Sequence, residues 1–381
     1  MGRHKYLHFY GKLMKAATLA RLEGSVRPLI TRLLPADTVI SMYSKGRVRF
    51  LSQLEQERPK VYVPPSELER ELWGIKFRSP IFNAAGMFKN GEGYEVVASQ
   101  GAGAYLGGTG TWNARKGNEK ENISLPFVAY RKSHAASNWL GLPNNGDTKN
   151  FLHAQTLGKM LDCPIGWSVM GSPDYESQEK MNYLVSSMCL YQNAGVDFLE
   201  INESCPNTEQ GKPQDSNLAQ RLQYIKEHFL EQRSRRLPVI VKFSNDTQKE
   251  QLPILLDLLF SLGYDGVNFG NTSTQYALHR EKIVPPEQKI YDYFTSTFGG
   301  GVSGRPLNES SLELASRAVE YRNAGYPPQE FHVIRTGGIE TLADLQASAQ
   351  AGISLNQWFT GYFENFAYYG HDVYKKLLSL L

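Results

Sequence analysis

Val239-Ile240-Val241-Lys242-Phe243, a helical stretch over 249–262, and then Gly266-Val267-Asn268-Phe269-Gly270 decide the fold. A short, nearly continuous apolar run followed by a helix and a second such run is a βαβ unit, because a strand covered on both faces has no polar side to show. Outward from this unit the pattern repeats. Apolar β-type runs fall at 80–83, 104–108, 165–170 and 197–202 before it, and at 331–335 and 354–359 after it. Helical periodicity follows most of them, at 178–193, 218–233 and 342–351 among others. Eight strands alternating with helices predict an α/β fold, a (β/α)8 TIM barrel over 79–381. A doubly wound open sheet is the competing arrangement. It loses ground because no G-x-G-x-x-G follows the first strand with an acidic residue beyond it.

Residues 1–78 are of another kind and predict an amphipathic helical extension and linker. Leu22, Val26, Leu29, Ile30, Leu33 and Leu34 recur at helical spacing, as do Tyr6, Leu7, Phe9, Tyr10 and Leu13 nearer the start. Pro35 ends the longer run, and Pro59, Pro64 and Pro65 mark a stiff connector. The formal charge of +3 divides unevenly. Residues 1–60 carry twelve Lys/Arg against four Asp/Glu, a balance of +8, which leaves 29 against 34, or −5, for the rest. A basic, amphipathic head fits either a cap packed on the barrel or a peripheral seat on an anionic membrane surface. No stretch reaches the roughly 18 apolar residues of a membrane span, and Lys12, Lys15 and Arg21 break up any signal-peptide core. The expected location is the cytoplasmic side of a membrane, peripherally, or else the cytoplasm.

Composition removes several kinds of chemistry. Hydrophobic residues make up 41% of 381, enough for a large core and too many for a disordered chain. Three cysteines (Cys163, Cys189 and Cys205) cannot build a disulfide framework, and no C-x-x-C pair suggests zinc or iron–sulfur binding. His134, His153, His279, His332 and His371 show no metal spacing, so no metal is expected and these histidines read as structural or surface groups.

In a barrel the functional groups gather where strands end. Here those ends carry Ala84 to Gly91, Thr109-Gly110-Thr111, Asn202 to Asn207, Lys242, Asn271-Thr272, Gly337-Gly338 and Thr360-Gly361. Glycines after strands seven and eight, with Gly300 to Gly304 upstream, suit a phosphate that approaches bare backbone N–H groups. Lys242 sits in an apolar strand, where it either snorkels to water or faces a bound anion such as a reduced flavin. Cys205 is either an inert core thiol or, flanked by Ser204, Pro206 and asparagines, a general base. A thiol of ordinary pKa about 8.5 needs only modest lowering for that role.

Four segments in this order resemble the dihydroorotate dehydrogenases over about residues 75–381. They are Ala84-Ala85-Gly86-Met87-Phe88-Lys89-Asn90-Gly91, Asn138-Trp139-Leu140-Gly141-Leu142-Pro143-Asn144, Asn202-Glu203-Ser204-Cys205-Pro206-Asn207 and Gly300-Gly301-Val302-Ser303-Gly304-Arg305-Pro306-Leu307. The resemblance implies an FMN-containing barrel that oxidises dihydroorotate to orotate in pyrimidine biosynthesis. It places FMN contacts at Ala85, Gly86, Lys89, Thr109, Asn202, Lys242, Gly304, Gly338, Phe359 and Thr360. It places dihydroorotate contacts at Lys89, Asn138, Gly141, Leu142, Asn202, Asn207, Asn271 and Thr272, where amides can offer both a donor and an acceptor to a pyrimidine edge. Cys205 would take the C5 proton while the C6 hydride passes to flavin.

The subclass signals are mixed. The helical head and Lys89-Asn90-Gly91 resemble the membrane-associated, quinone-reducing class. Cys205 in place of a serine base, Leu-Gly-Leu-Pro-Asn at 140–144 and Gly211-Lys212-Pro213-Gln214 resemble the soluble class. Ser168, Gly270 and Phe359 depart from the quinone class, which carries Asn, Thr and Tyr there. A quinone is the expected final acceptor, with fumarate or another dihydropyrimidine chemistry as the alternative. An RNA dihydrouridine synthase shares a flavin barrel and a cysteine. The basic residues of this head, however, interleave with apolar faces, so no nucleic-acid partner is expected.

Overall fold

The structure, a computed structural model, describes residues 15–203, 217–325 and 327–379. Eight parallel strands form the barrel: β1 (Ile81–Asn83), β2 (Tyr105–Gly110), β3 (Ile165–Val169), β4 (Phe198–Asn202), β5 (Val239–Phe243), β6 (Gly266–Phe269), β7 (His332–Thr336) and β8 (Leu355–Trp358). Their hydrogen-bonded order runs β1-β8-β7-β6-β5-β4-β3-β2, so chain neighbours are sheet neighbours throughout. Each sequence-predicted strand has its counterpart. The sheet comes round to itself at the β1/β2 seam, where a side chain substitutes for the missing ladder. Asn83 Nδ2 donates to the Leu106 carbonyl (2.8 Å) and its Oδ1 accepts from the Leu106 N–H (3.2 Å).

The linker does more than connect. Arg70–Leu72 and Ile75–Phe77 pair as an antiparallel hairpin, which the sequence reading did not anticipate. Its two-residue turn, Trp73-Gly74, has positive φ at both positions, the geometry that matches strand twist in a tight hairpin. Phe77 meets Phe82 and Phe198 at centroid distances of 6.2 and 5.7 Å, closing the N-terminal end of the barrel with aromatic rings. Gly166 makes room for this plug, since a Cβ there would lie 2.2 Å from the Phe198 ring.

Two helices precede the barrel, α1 (Ala16–Leu33) and α2 (Ala36–Leu54), with Pro35 at the start of the second. α1 packs along the helix Thr360–Tyr369, and α2 along the strand Phe127–Tyr130. Leu22, Val26, Leu29 and Leu33 form an outward apolar stripe, with Leu33 66% exposed. The earlier aromatic group Tyr6 to Leu13 lies outside the described residues. Among the described residues, no helix is long and apolar enough to cross a membrane.

A second small sheet lies beyond the strand ends. Ala135–Asn138 is its centre, paired antiparallel with Phe127–Tyr130 and with Gly301–Gly304. The register sets Gly301 opposite Asn138 and Gly304 opposite Ala135, so residues 163 and 169 positions apart in sequence become one surface.

Candidate functional site

The polar centre of the barrel is built from the ends of β4 to β8. Register aligns Asn202, Lys242 and Asn268 across three adjacent strands, and Thr336 beside Gln357 across two more. Lys242 is 2% exposed, so it does not snorkel. Its ammonium lies 3.5 Å from Glu200 Oε1 and donates to Gln357 Oε1 at 3.2 Å. A carboxylate partner inside the barrel was not expected from the sequence. The signal was nonetheless present: Glu200 is a charged residue within an apolar strand, two positions before Asn202 and therefore on the same face.

Asn202 is buried and donates to Thr109 Oγ1 (3.1 Å), which also shares a hydrogen bond with Ser168 Oγ (3.0 Å). The departure at Ser168 is thus absorbed by a short hydroxyl pair. Gly86, at φ +94°, donates its N–H to the Gly108 carbonyl (2.7 Å), and a Cβ built there would come no nearer than 4.0 Å to the Phe359 ring. Ala85 is half-buried in the same turn, and Lys89 in the next, its carbonyl accepting from Gly108 N–H at 3.2 Å. Ala85, Gly86, Lys89, Thr109, Asn202, Lys242 and Phe359 therefore ring one end of the barrel.

The glycine-rich loops form a neighbouring cradle. Gly304 (φ +92°) lies against the His134 carbonyl, 2.3 Å from where a Cβ would sit, and Gly338 (φ +71°) lies 2.4 Å in the same sense from the Asn308 backbone N. Thr360 opens the helix Thr360–Tyr369, and its hydroxyl meets Ser303 Oγ at 3.0 Å. Asn308 Nδ2 donates to the Gly338 carbonyl (2.9 Å) and to Asp344 Oδ1 (2.9 Å). Asp344 caps the helix Leu342–Gln350 and takes two 2.8 Å hydrogen bonds from Arg305. Its carboxyl lies below the ordinary range: burial opposes this shift, but backbone N–H donors and Arg305 outweigh it. Arg335, wholly buried, donates to Ser311, Ser348 and the Asn308 carbonyl behind the loop, and burial lowers its pKa to about 10. The N-terminus of the Thr360–Tyr369 helix and bare glycine N–H groups suit a phosphate, and only glycine fits at 304 and 338, where a Cβ would meet the His134 carbonyl or the Asn308 backbone. These residues fit FMN.

The substrate-type residues lie on the small sheet and the β6 loop. Asn138 ends its strand against Gly300, Gly141 (φ +70°) gives its carbonyl to Arg115 Nε at 3.2 Å, and Leu142 follows at φ +58°. The Asn271 carbonyl accepts from Asn245 Nδ2 (3.3 Å). Thr272 Oγ1 and Asn245 Oδ1 are buried without a hydrogen-bond partner among the described residues, which leaves acceptor and donor capacity for a polar ring. Cys205 and Asn207 lie outside the described residues. The other two cysteines are core-side thiols: Cys163 is buried, and its pKa is pushed up to about 11 by burial. The histidines sit in local pairs, His134 with Glu340 (2.5 Å), His371 with Glu57 (2.5 Å) and His279 with Ser273 (2.7 Å). Among the described residues no cluster could hold a metal ion.

The comparisons with known proteins converge on this architecture. A family model described as dihydroorotate dehydrogenase matches residues 67–381. A dihydroorotate dehydrogenase (quinone) of Nocardia farcinica is 30% identical over 320 residues, covering 82% of this chain and 80% of its own length. One from Christiangramia forsetii is 27% identical over 332 residues, 84% of this chain and 88% of its own. A ligand-free DHODH crystal structure from Eimeria tenella superposes with a TM-score of 0.73 at 21% identity, over 88% of this chain and 92% of that one, and supports the fold. The chain belongs to the dihydroorotate dehydrogenase family.

Proposed function

We propose that this oxidoreductase converts dihydroorotate to orotate at the strand-end site and passes the electrons through FMN to a quinone. The observation that carries the reading is the convergence of one buried lysine, the strand-end amides and the Gly304/Gly338 cradle at the C-terminal end of a family barrel. FMN supplies a two-electron acceptor. Ala85, Gly86, Thr109, Lys242, Gly304, Gly338, Phe359 and Thr360 are its holding residues, with Lys89 and Asn202 at the boundary with substrate. Lys89, Asn138, Gly141, Leu142, Asn202, Asn207, Asn271 and Thr272 hold and orient dihydroorotate. The Cys205 thiolate takes the proton from C5, and the C6 hydrogen leaves with its electron pair toward the acceptor.

Quinone is favoured as the oxidant by the relatives' printed activity and by the exposed stripe of α1, an apolar surface that a lipid-soluble molecule or a membrane face would cover. The head's excess of basic residues supports a peripheral seat on anionic lipid. The cysteine-type segment favours fumarate instead, so the deciding experiment sets both oxidants side by side. Purified, FMN-loaded protein given dihydroorotate should form orotate faster with a soluble quinone than with fumarate. Faster turnover with fumarate would reassign the acceptor, and no orotate with either would overturn the substrate.

A further inference from the structure

The ion pair inside the barrel has a role that the flavin contacts alone do not require. Glu200 is fully buried in mid-β4. Its Oε2 accepts from Asn268 Nδ2 (2.9 Å) and Gln357 Nε2 (2.7 Å), while Oε1 has no hydrogen-bond donor among the described residues and faces Lys242 Nζ at 3.5 Å. Gln357 is fixed from both ends, because its Oε1 accepts from Lys242 (3.2 Å) and from Thr336 Oγ1 (3.1 Å). Thr336 Oγ1 also lies 2.9 Å from Asn268 Oδ1, so its one hydroxyl proton is shared between the two amide oxygens. Five strands thus contribute one residue each to a closed polar ring carrying one positive and one negative charge.

The remaining charged groups on these strands point elsewhere. Glu203 pairs with Arg221 (2.7 Å), Asp265 with Arg236 (2.5 Å) and Arg233 (3.5 Å), and Arg335 with hydroxyls and carbonyls behind β7. On β3, β6, β7 and β8 the groups nearest the ring are the neutral Ser168, Asn268, Thr336 and Gln357. Glu200 is accordingly the one ionisable partner that the described residues bring to Lys242. Its geometry is loose for an ion pair, while its own second oxygen is tightly held. A carboxylate placed this way does little to anchor the lysine tip, and its main effect is the field it applies.

We propose that Glu200 is a positioning residue that fixes the charge of Lys242, keeping it an ammonium whether the flavin beside it is oxidised or reduced. This rests on the FMN reading above. A buried ammonium without a counter-charge is costly and sheds its proton to water. It would recover that proton only when negative charge arrives on the neighbouring flavin. With Glu200 in place, two-electron reduction draws in one proton, to the flavin. Without it, the same two electrons draw in two, the second ending on Lys242 Nζ.

The midpoint potential of bound FMN reads this directly. One proton per two electrons shifts the potential by about 30 mV per pH unit, since a tenfold change in this couple is 29.6 mV, and two protons shift it by about 59 mV. Holoenzyme titrated against a reference dye between about pH 7.5 and about 9.5 should show the shallow slope, and Glu200→Gln the steep one. Glu200→Asp retains the charge and should keep the shallow slope, which carries the test if the glutamine variant fails to fold. In the double variant Lys242→Met/Glu200→Gln, which leaves neither group to titrate, the slope should be shallow again. A steep slope in the unaltered protein or in Glu200→Asp, or an unchanged slope in folded, FMN-loaded Glu200→Gln, overturns the proposal. Protein that binds no FMN at all instead overturns the reading of the site on which it rests.

Discussion

Replacing Gly338 with alanine tests the phosphate cradle, and the fold supplies its own control. Gly338 has φ +71° and Gly74, in the plug hairpin, has φ +72°, so the left-handed backbone penalises alanine equally at both, by about 1–2 kcal/mol. They differ in surroundings. Nothing lies within 4 Å of a Cβ at Gly74, whereas at Gly338 it would stand 2.4 Å from Asn308 N and 2.5 Å from Asn308 Cα. Those atoms begin the helix Asn308–Gly325 and cannot rotate away as a side chain would. Relieving the overlap means moving the loop or the helix, an overpacking cost of about 1–3 kcal/mol. Moving the loop also displaces the N–H groups proposed to hold the FMN phosphate. Gly338→Ala should therefore weaken FMN binding at least tenfold, about 1.4 kcal/mol, while Gly74→Ala loses stability without losing flavin. Flavin fluorescence during dialysis, paired with thermal melting, separates the two. Equal FMN affinity in both variants would refute the cradle.

Three further changes probe other parts of the argument. Asp147 is buried and its pKa is raised to about 6 by desolvation, against the opposing hydrogen bonds from Ser187 (2.5 Å) and Tyr191 (2.7 Å). The native state thus keeps a proton that the unfolded chain releases near 3.8, and stability falls as pH rises through that window, by up to about 3 kcal/mol. Asp147→Asn should flatten this part of the profile, as measured by urea unfolding at about pH 4 and about pH 7. Asn83→Ala removes both seam hydrogen bonds and strands the Leu106 amide and carbonyl, so it should cost about 2–4 kcal/mol in the same assay, with a shift below about 1 kcal/mol arguing that the seam is held otherwise. Leu22→Glu combined with Leu29→Glu should release the protein from anionic vesicles in a sedimentation assay while leaving bound FMN unchanged, and persistent binding would place the lipid contact elsewhere.

What was legible in the sequence follows from what each element must bury. The eight strands announce themselves because a barrel strand is covered on both faces, so Val239–Phe243 and Ile165–Val169 are apolar almost without a break. The helix read over 218–233 is shorter as a regular α-helix: Leu218–Ile225 runs into a π-turn at Lys226–Leu230, a local widening that leaves the apolar spacing intact. The plug hairpin is hidden because its strands are three residues long and its turn begins with Trp73, not a usual residue at positive φ. At the site, glycines and strand-end amides stand out by residue type, but the pairing of Gly301 with Asn138 is a long-range register that no local pattern encodes. The sequence offers Lys242 water or a bound anion and hides its protein partner, which is 42 residues away, although the oddity of Glu200 in an apolar strand already asks for a cation.

The union of a cysteine-type segment with a quinone-type head becomes intelligible through the contacts between head and cradle. α2 carries Arg47 down to the loop after β1, where its guanidinium donates to the Gly86 carbonyl (3.3 Å) and lies 5.8 Å from the Phe127 ring. Desolvation there lowers its pKa to about 10, which leaves it charged at neutral pH. α1 sends Arg21 to the carbonyls of Ala367 and Tyr368 on the helix that begins at Thr360. Both head helices are therefore fastened to elements that the proposed function assigns to flavin binding, one at Gly86 and one at the Thr360 helix. β4 instead ends at Asn202, which the register sets beside Lys242. These head contacts fall on Gly86, Ala367 and Tyr368 and not on β4, so the proposed use of a cysteine base after that strand requires no change in how the head is attached, and the two sets of features can coexist in one chain.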